Sequence, residues 1–222
     1  MAALLSPRSF VGCKRICLDT GYYATFNRPN VTLVDVGDAP IEEITRTGLR
    51  TGGKEYDLDT IVFAIGFDAM TGPLLGIDIR GRAGQPLKTK WADGPRTYLG
   101  LAIEGFPNLF TITGPTSPSV LASMVPAIEQ HVEWIAGCIV HARACGRPRI
   151  EASPAAEDAW IAHHDEVADG TLFPSCNSWY VGANVDGKPR QVMPYTGGFS
   201  AYVEKCDAVA ANGYEGFSLT AA

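Results

Sequence analysis

NLFTITGPTSPSVLASM (Asn108 to Met124) is the stretch on which the reading of the fold turns. Its first half, Asn108 to Pro115, is a short apolar run that delivers a Gly-Pro turn, as expected of a buried strand ending where a ligand can approach. Beyond the turn, Leu121, Met124, Val125, Ile128, Val132, Ile135, Ile139 and Ala142 recur at spacings of three and four, one stripe of a long helix. That helix should stop near Gly146-Arg147-Pro148, with Pro126 either in its first turn or at a kink.

TIVFAIGF (Thr60 to Phe67), upstream, repeats the design and reads as a strand buried on both faces of a parallel sheet. NVTLVDV (Asn30 to Val36) alternates like a strand, and the residues up to Asp59 give short strands with turns at Gly48 and Gly52-Gly53, a small β-meander. Between Asp68 and Glu104 the pattern is irregular and rich in Gly and Pro, a linker with short helices. A second helix is expected from a Ser153 cap, with Pro154 at its first position, to about Ala168. A third, short helix is expected near Ala201 to Ala211.

With 222 residues, 46% of them hydrophobic, the chain can bury a core as one domain or two small ones. A net charge of −6 disfavours nucleic acid held by a general basic field. No apolar run reaches the roughly 18 residues that span a bilayer, so no membrane partner is expected and the cytoplasm is the expected setting. The six cysteines form no CxxC pair and keep no metal-ligand spacing with His131, His141, His163 or His164. They read as reduced thiols, and no metal is expected. No two glycines are separated by one residue, so the G-x-G-x-x-G loop of a complete dinucleotide-binding unit is absent. The chain reads as the later part of a larger α/β architecture.

Four stretches, in order, resemble the Baeyer–Villiger flavin monooxygenases of the cyclohexanone and phenylacetone monooxygenase group. They are GCKRICLDTGYYATFNRPNVTLVD, YDLDTIVFAIGFDAMTG, GPRTYLGLAIEGFPNLFTITGPTSPSVL, and SWYVGANVDGKPR with PYTGGFSAY downstream. The resemblance runs from about Gly12 to Leu219. It implies the C-terminal portion of an α/β flavoprotein with two dinucleotide-binding domains, an FAD domain and an inserted NADPH domain. Residues 1–68 would end the NADPH domain, 69–104 would link, and 105–222 would form the C-terminal half of the FAD domain. The family's FAD-phosphate loop would lie on a missing N-terminal polypeptide.

The chemistry implied is conversion of a ketone and O2 to an ester or lactone through a flavin C4a-peroxide, with FAD and NADPH as cofactors. Arg15 matches the family arginine beside flavin and nicotinamide, where a permanent planar cation suits peroxide and oxyanion. Lys14 matches a contact to the 2′-phosphate of NADPH, and Trp179 a lid residue whose indole donates to NADP. Gly114, Pro115 and Met124 match positions bordering FAD, and Ser119, Val120 and Leu121 the loop shaping the substrate pocket. Read without the resemblance, Lys14-Arg15 is an exposed basic pair, Met124 a core residue and Trp179 a packed aromatic; Lys188 and Arg190 read as solvated.

Three departures stand out. Thr116 replaces the usual glycine, and a β-branched residue resists positive φ. Ile65 replaces a threonine, and Asp186 a more apolar or small residue. Two other readings stand beside the main one: a non-enzymatic remnant or subunit that needs a second polypeptide, and an N- or S-oxygenating flavin monooxygenase, from which the TGPxSPS and SWYxGAN pattern points away.

Overall fold

The computed structural model describes residues 1–221, and they divide into two compact units. The first comprises Met1–Phe10 and Arg15–Gly66. It holds the short helices α1 (Ala2–Leu5) and α2 (Tyr22–Thr25) and the antiparallel strands β1 (Ile41–Ile44), β2 (Gly48–Thr51) and β3 (Lys54–Asp57) in the order β1-β2-β3. The β2–β3 turn is Gly52-Gly53, both with positive φ, the two-residue geometry whose twist matches the flanking strands. Gly48 opens β2 because a Cβ there would meet the Tyr56 carbonyl oxygen at 1.8 Å.

Three expected strands are not formed: Asn108 to Pro115 carries only an isolated bridge between Ala102 and Phe110. Asn30 to Val36 has no ladder partner, and Thr60 to Phe67 carries neither helix nor strand, with Val62 82% and Ile65 87% exposed. A strand is stabilised by neighbours that bond its backbone, and a parallel strand needs one on each side. Both sheets among the described residues are antiparallel and neither includes these runs.

The second unit comprises Val11–Lys14 and Phe67–Ala222. Its first part is irregular, with α3 (Gly72–Leu75) and α4 (Leu87–Lys90). Leu87, Trp91, Ile103 and Phe106 form a small apolar cluster there. Three longer helices follow: α5 (Met124–Ala144), α6 (Pro154–Asp169) and α7 (Phe199–Ala211). The strands β4 (Arg149–Ala152) and β5 (Phe217–Thr220) pair antiparallel beside them. Pro126 falls in the first turn of α5, where its missing N–H costs nothing. Ser153 caps α6 by accepting from the Ala156 N–H at 3.3 Å, with Pro154 at the first helical position.

The core joins Trp134, Ile135, Cys138 and Ala142 of α5 to Trp160 and Ile161 of α6, Tyr202 and Cys206 of α7, and the Tyr98–Ala102 segment. The buried face of α5 is therefore the Ala127, His131, Trp134, Cys138 row. Val125, Ile128 and Val132 of the expected stripe are exposed. Apolar residues lie on two faces of this helix, and periodicity could not say which one faces the core.

The cysteine reading needs correction. Cys13 and Cys176 form a disulfide across 163 positions of sequence, both within the second unit. No local spacing signals such a pair. Cys138 and Cys206 are buried thiols, and burial pushes each up to about 12, which leaves them inert as nucleophiles.

Candidate functional site

The loop from Thr111 to Ser119 is the most constrained segment of the second unit. Thr113, Thr116 and Ser119 all have positive φ, at 52°, 66° and 43°. Such a conformation costs about 1–2 kcal/mol for a residue with a Cβ, so the surroundings must hold it.

They do so through buried hydrogen bonds. The Thr113 N–H donates to His131 Nδ1 at 2.9 Å. The Thr116 N–H donates to the Met193 carbonyl at 2.6 Å, and the Tyr195 N–H to the Ser117 carbonyl at 2.7 Å. Trp160 Nε1–H donates to Thr116 Oγ1 at 3.0 Å. The Thr116 hydroxyl then donates to Thr97 Oγ1 at 2.5 Å, and Thr97 donates to the Pro115 carbonyl at 3.1 Å. Thr116 thus adopts positive φ although it is β-branched, held there by these bonds.

Gly114 is demanded by a close approach: a Cβ there would meet Thr111 Oγ1 at 2.5 Å and the Gly100 carbonyl at 2.7 Å. The Gly-Pro turn therefore presses its backbone on the Gly100 turn. Ser119 donates its hydroxyl to Met70 Sδ at 3.4 Å, which ties the loop to the residues before α3.

The SWYVGAN segment closes the other side. Trp179 is half-buried and meets Tyr180 edge-on, with ring centroids 4.3 Å apart. The Met193 N–H donates to the Tyr180 carbonyl at 2.8 Å. Asn184 donates to the Phe67 carbonyl at 2.9 Å. Lys188 pairs with Asp68 and donates to the Ala69 carbonyl at 3.1 Å. Lys188 was expected to be solvated; instead its ammonium is largely enclosed and clamps the Asp68 segment.

These walls border an open cavity of about 550 Å³, lined by Met70, Gly114, Ser119, Val120, Met124 and Trp179 among others. Residues expected from the sequence to border flavin, to shape the substrate pocket and to hold NADP thus share one space. Pro115 and Leu121 do not line it: Pro115 is buried behind the turn, and Leu121 is exposed. A larger groove of about 790 Å³ runs past Arg96, Asp165, Asp169, Cys176 and Arg190 and carries none of the expected site residues. Its lining mixes Lys90, Arg96 and Arg190 with Asp93, Asp165 and Asp169, whereas the smaller cavity gathers the expected site residues and is the better candidate.

Lys14 and Arg15 are both exposed, Lys14 next to the disulfide and Arg15 in the first unit. Sequence reasoning missed His131, Thr97 and Trp160 as the anchors of the loop. Nothing local in the sequence signals a helix side chain that bonds a turn 18 residues away.

No family model matches the chain. It is 46% identical over 220 residues to an acetone monooxygenase (methyl acetate-forming) of Gordonia sp. (strain TY-5), covering 98% of this chain and 41% of that protein. It is 42% identical to a phenazine N-monooxygenase of Lysobacter antibioticus, over 98% of this chain and 40% of that protein. It is 41% identical to a Baeyer–Villiger monooxygenase of Pseudooceanicola batsensis, over 96% of this chain and 39% of that protein. Among solved structures, an oxidized steroid monooxygenase bound to NADP superposes with a TM-score of 0.90 at 50% identity, over 100% of this chain and 42% of that one. OTEMO in complex with FAD and NADP superposes with a TM-score of 0.88 at 40% identity, over 94% of this chain and 38% of that one.

Fold and similarity together define the class: an α/β chain matching part of the flavin monooxygenases with two dinucleotide-binding domains. Within that class, the chain is similar to Baeyer–Villiger monooxygenases over part of their length. It spans about 40% of the length of the relatives it matches.

Proposed function

We propose that this chain is the C-terminal portion of an FAD- and NADPH-dependent Baeyer–Villiger monooxygenase, which inserts one oxygen atom of O2 beside the carbonyl of a ketone to give an ester or lactone. The observation that carries the reading is the shared cavity, where Gly114, Ser119, Val120, Met124 and Trp179 meet from separate segments. In domain terms, residues 1–68 end the NADPH domain, 69–104 link, and 105–222 form the C-terminal half of the FAD domain. The compact units divide between Gly66 and Phe67, near the first boundary, with Val11–Lys14 assigned to the second unit.

The cavity suits a flat cofactor ring with a polar rim. Its volume of about 550 Å³ falls in the range of small-molecule sites, and Met70, Phe110, Ile112 and Met124 give it apolar walls. Bound there, FAD would supply the redox chemistry that activates O2 at the expense of NADPH. Gly114 and Met124 would border the ring, with Pro115 shaping the turn behind it. Ser119, Val120 and Leu121 would shape the entrance for the ketone. Lys14 would pair with the 2′-phosphate of NADP, and Trp179 would donate its indole N–H to that cofactor while its segment excludes water. Arg15 would meet the negative charge that develops on the carbonyl oxygen, as a planar cation with several donors.

An N-terminal portion of the fold would carry the FAD-phosphate loop and cover the apolar face that α5 presents through Val125, Ile128, Val132 and Val140. Among the described residues no helix is long and apolar enough to cross a membrane. We place the protein in the cytoplasm, where the near-complete burial of Cys13 and Cys176 would shield their bond from exchange with soluble thiols.

The purified chain alone is expected to be colourless; flavin near one per chain would contradict the partition of the FAD site. The decisive experiment places the chain in the matching segment of the Gordonia acetone monooxygenase and measures ketone-dependent NADPH oxidation and ester release. Arg15→Ala should lower ester formation by about 100-fold or more with flavin retained. A chimaera that holds flavin yet shows no ketone-dependent turnover on acetone or cyclic ketones removes the proposal. The likeness to the phenazine N-monooxygenase favours N-oxygenation as a second reading. It would be recognised by turnover on an aromatic amine in place of ketones.

A further inference from the structure

His131 of α5, one of the anchors of the loop, is wholly buried and lines neither cavity. Its two ring nitrogens meet partners of different kinds. The Thr113 backbone N–H can only donate, and it reaches Nδ1 at 2.9 Å, so Nδ1 carries no hydrogen. Burial pushes the imidazole pKa down to about 4, which leaves the ring neutral near pH 7 with its single hydrogen on Nε2. Nε2 lies 3.0 Å from Tyr202 Oη, and the Tyr202 hydroxyl donates to the Leu99 carbonyl at 2.8 Å. The hydrogens of this chain therefore run in one direction, from Thr113 through His131 and Tyr202 to Leu99.

Thr113 is a β-branched residue at positive φ, immediately before Gly114, and both line the cavity. Without a partner for its N–H, a partly buried amide would be left unsatisfied in a backbone conformation that is already unfavourable. The one acceptor that meets it is on α5, the helix whose first residue, Met124, lines the same cavity.

We propose that His131 is a positioning residue whose Nδ1 holds the Ile112–Thr113 peptide, and with it the left-handed Thr113 before Gly114, in the turn that forms the flavin-facing wall of the cavity. The proposal rests on the reading of that wall as the border of FAD. His131 touches no reacting atom and acts through the turn.

Two experiments test it. In ¹⁵N NMR of the histidine-labelled chain, Nδ1 should show a pyridine-type shift and Nε2 a pyrrole-type shift between roughly pH 5 and 8; a protonated Nδ1 overturns the proposal. In the chimaeric enzyme, His131→Leu should shift the flavin absorption spectrum and lower the ester formed per NADPH consumed about tenfold, the weight of one buried hydrogen bond, with KM for NADPH unchanged. His131→Asn, whose amide oxygen can stand near the place of Nδ1, should restore most of the loss. Should His131→Leu fail to fold, Tyr202→Phe tests the same chain, with an expected loss of about twofold to threefold. A flavin-loaded enzyme in which these variants leave spectrum and coupling unchanged overturns the positioning role alone. An enzyme that takes up no flavin overturns the reading of the site and this proposal with it.

Discussion

Trp160 of α6 donates its indole N–H to the hydroxyl of Thr116 across 3.0 Å, and both residues are buried. The hydroxyl that accepts this bond belongs to the residue standing where relatives are expected to have glycine. Threonine therefore brings an unfavourable φ of 66° and a hydrogen bond that offsets it.

The two effects can be separated by substitution. Thr116→Val keeps the branched side chain and leaves the Trp160 N–H unpaired, and should destabilise the chain by about 2 kcal/mol. Thr116→Gly loses the same bond but relieves the backbone, and should fall between Val and wild type by about 1 kcal/mol. Urea midpoints measure the order. A Gly variant more stable than wild type would show that the hydroxyl contributes nothing.

Cys13 and Cys176 should be visible to thiol chemistry. Four free cysteines remain beside the disulfide, so the denatured chain should react with four equivalents of a thiol reagent before reduction and six after. Closing so long a loop restricts the unfolded chain, so reduction should lower stability by about 3 kcal/mol or more. Six reactive thiols in protein kept from reductant would refute the bond.

His131 should give stability a pH dependence. Its folded pKa of about 4 lies below the ordinary imidazole value of 6.5 because burial disfavours the charged ring. The unfolded chain thus binds the proton first. The contribution is fully present above pH 6.5 and is lost as pH falls from there through about 4, by roughly 3 kcal/mol in all. His163, also lowered by burial and then by Lys205, acts in the same direction. In urea titrations from pH 7 to pH 4, His131→Asn should flatten the slope over this window; an unaltered slope would mean that the ring titrates normally.

Glu157 of α6 is almost wholly buried, yet its carboxylate accepts the Glu104 N–H at 2.9 Å and pairs with Lys90 at 2.9 Å. Arg96 lies 3.6 Å away. Removing the acid leaves Lys90 with Glu104 alone, so Glu157→Ala should cost about 3–5 kcal/mol. Asp158→Ala, whose partner Arg96 is exposed to solvent, should cost less than about 1 kcal/mol. Equal losses would mean that burial does not set the strength of this network.

What the sequence determined alone is what neighbours in the chain can decide. The Ser153 cap and Pro154 start α6, Pro126 fits the first turn of α5, and Gly52-Gly53 turns the meander, because caps, proline and glycine act over one to four residues. Likeness to the flavin monooxygenases was equally legible, since four motifs stand in order along the chain. The tertiary structure decided the rest. Asn30 to Val36 and Thr60 to Phe67 have strand-like composition but no paired neighbour, and pairing is not written in the strand itself. Which face of α5 is buried, the joining of Cys13 to Cys176, and the anchoring of the Thr111 to Ser119 loop by His131 and Trp160 all depend on contacts between distant residues. Local propensity acts within a turn of helix; a buried donor finds its acceptor only when the chain has folded around both.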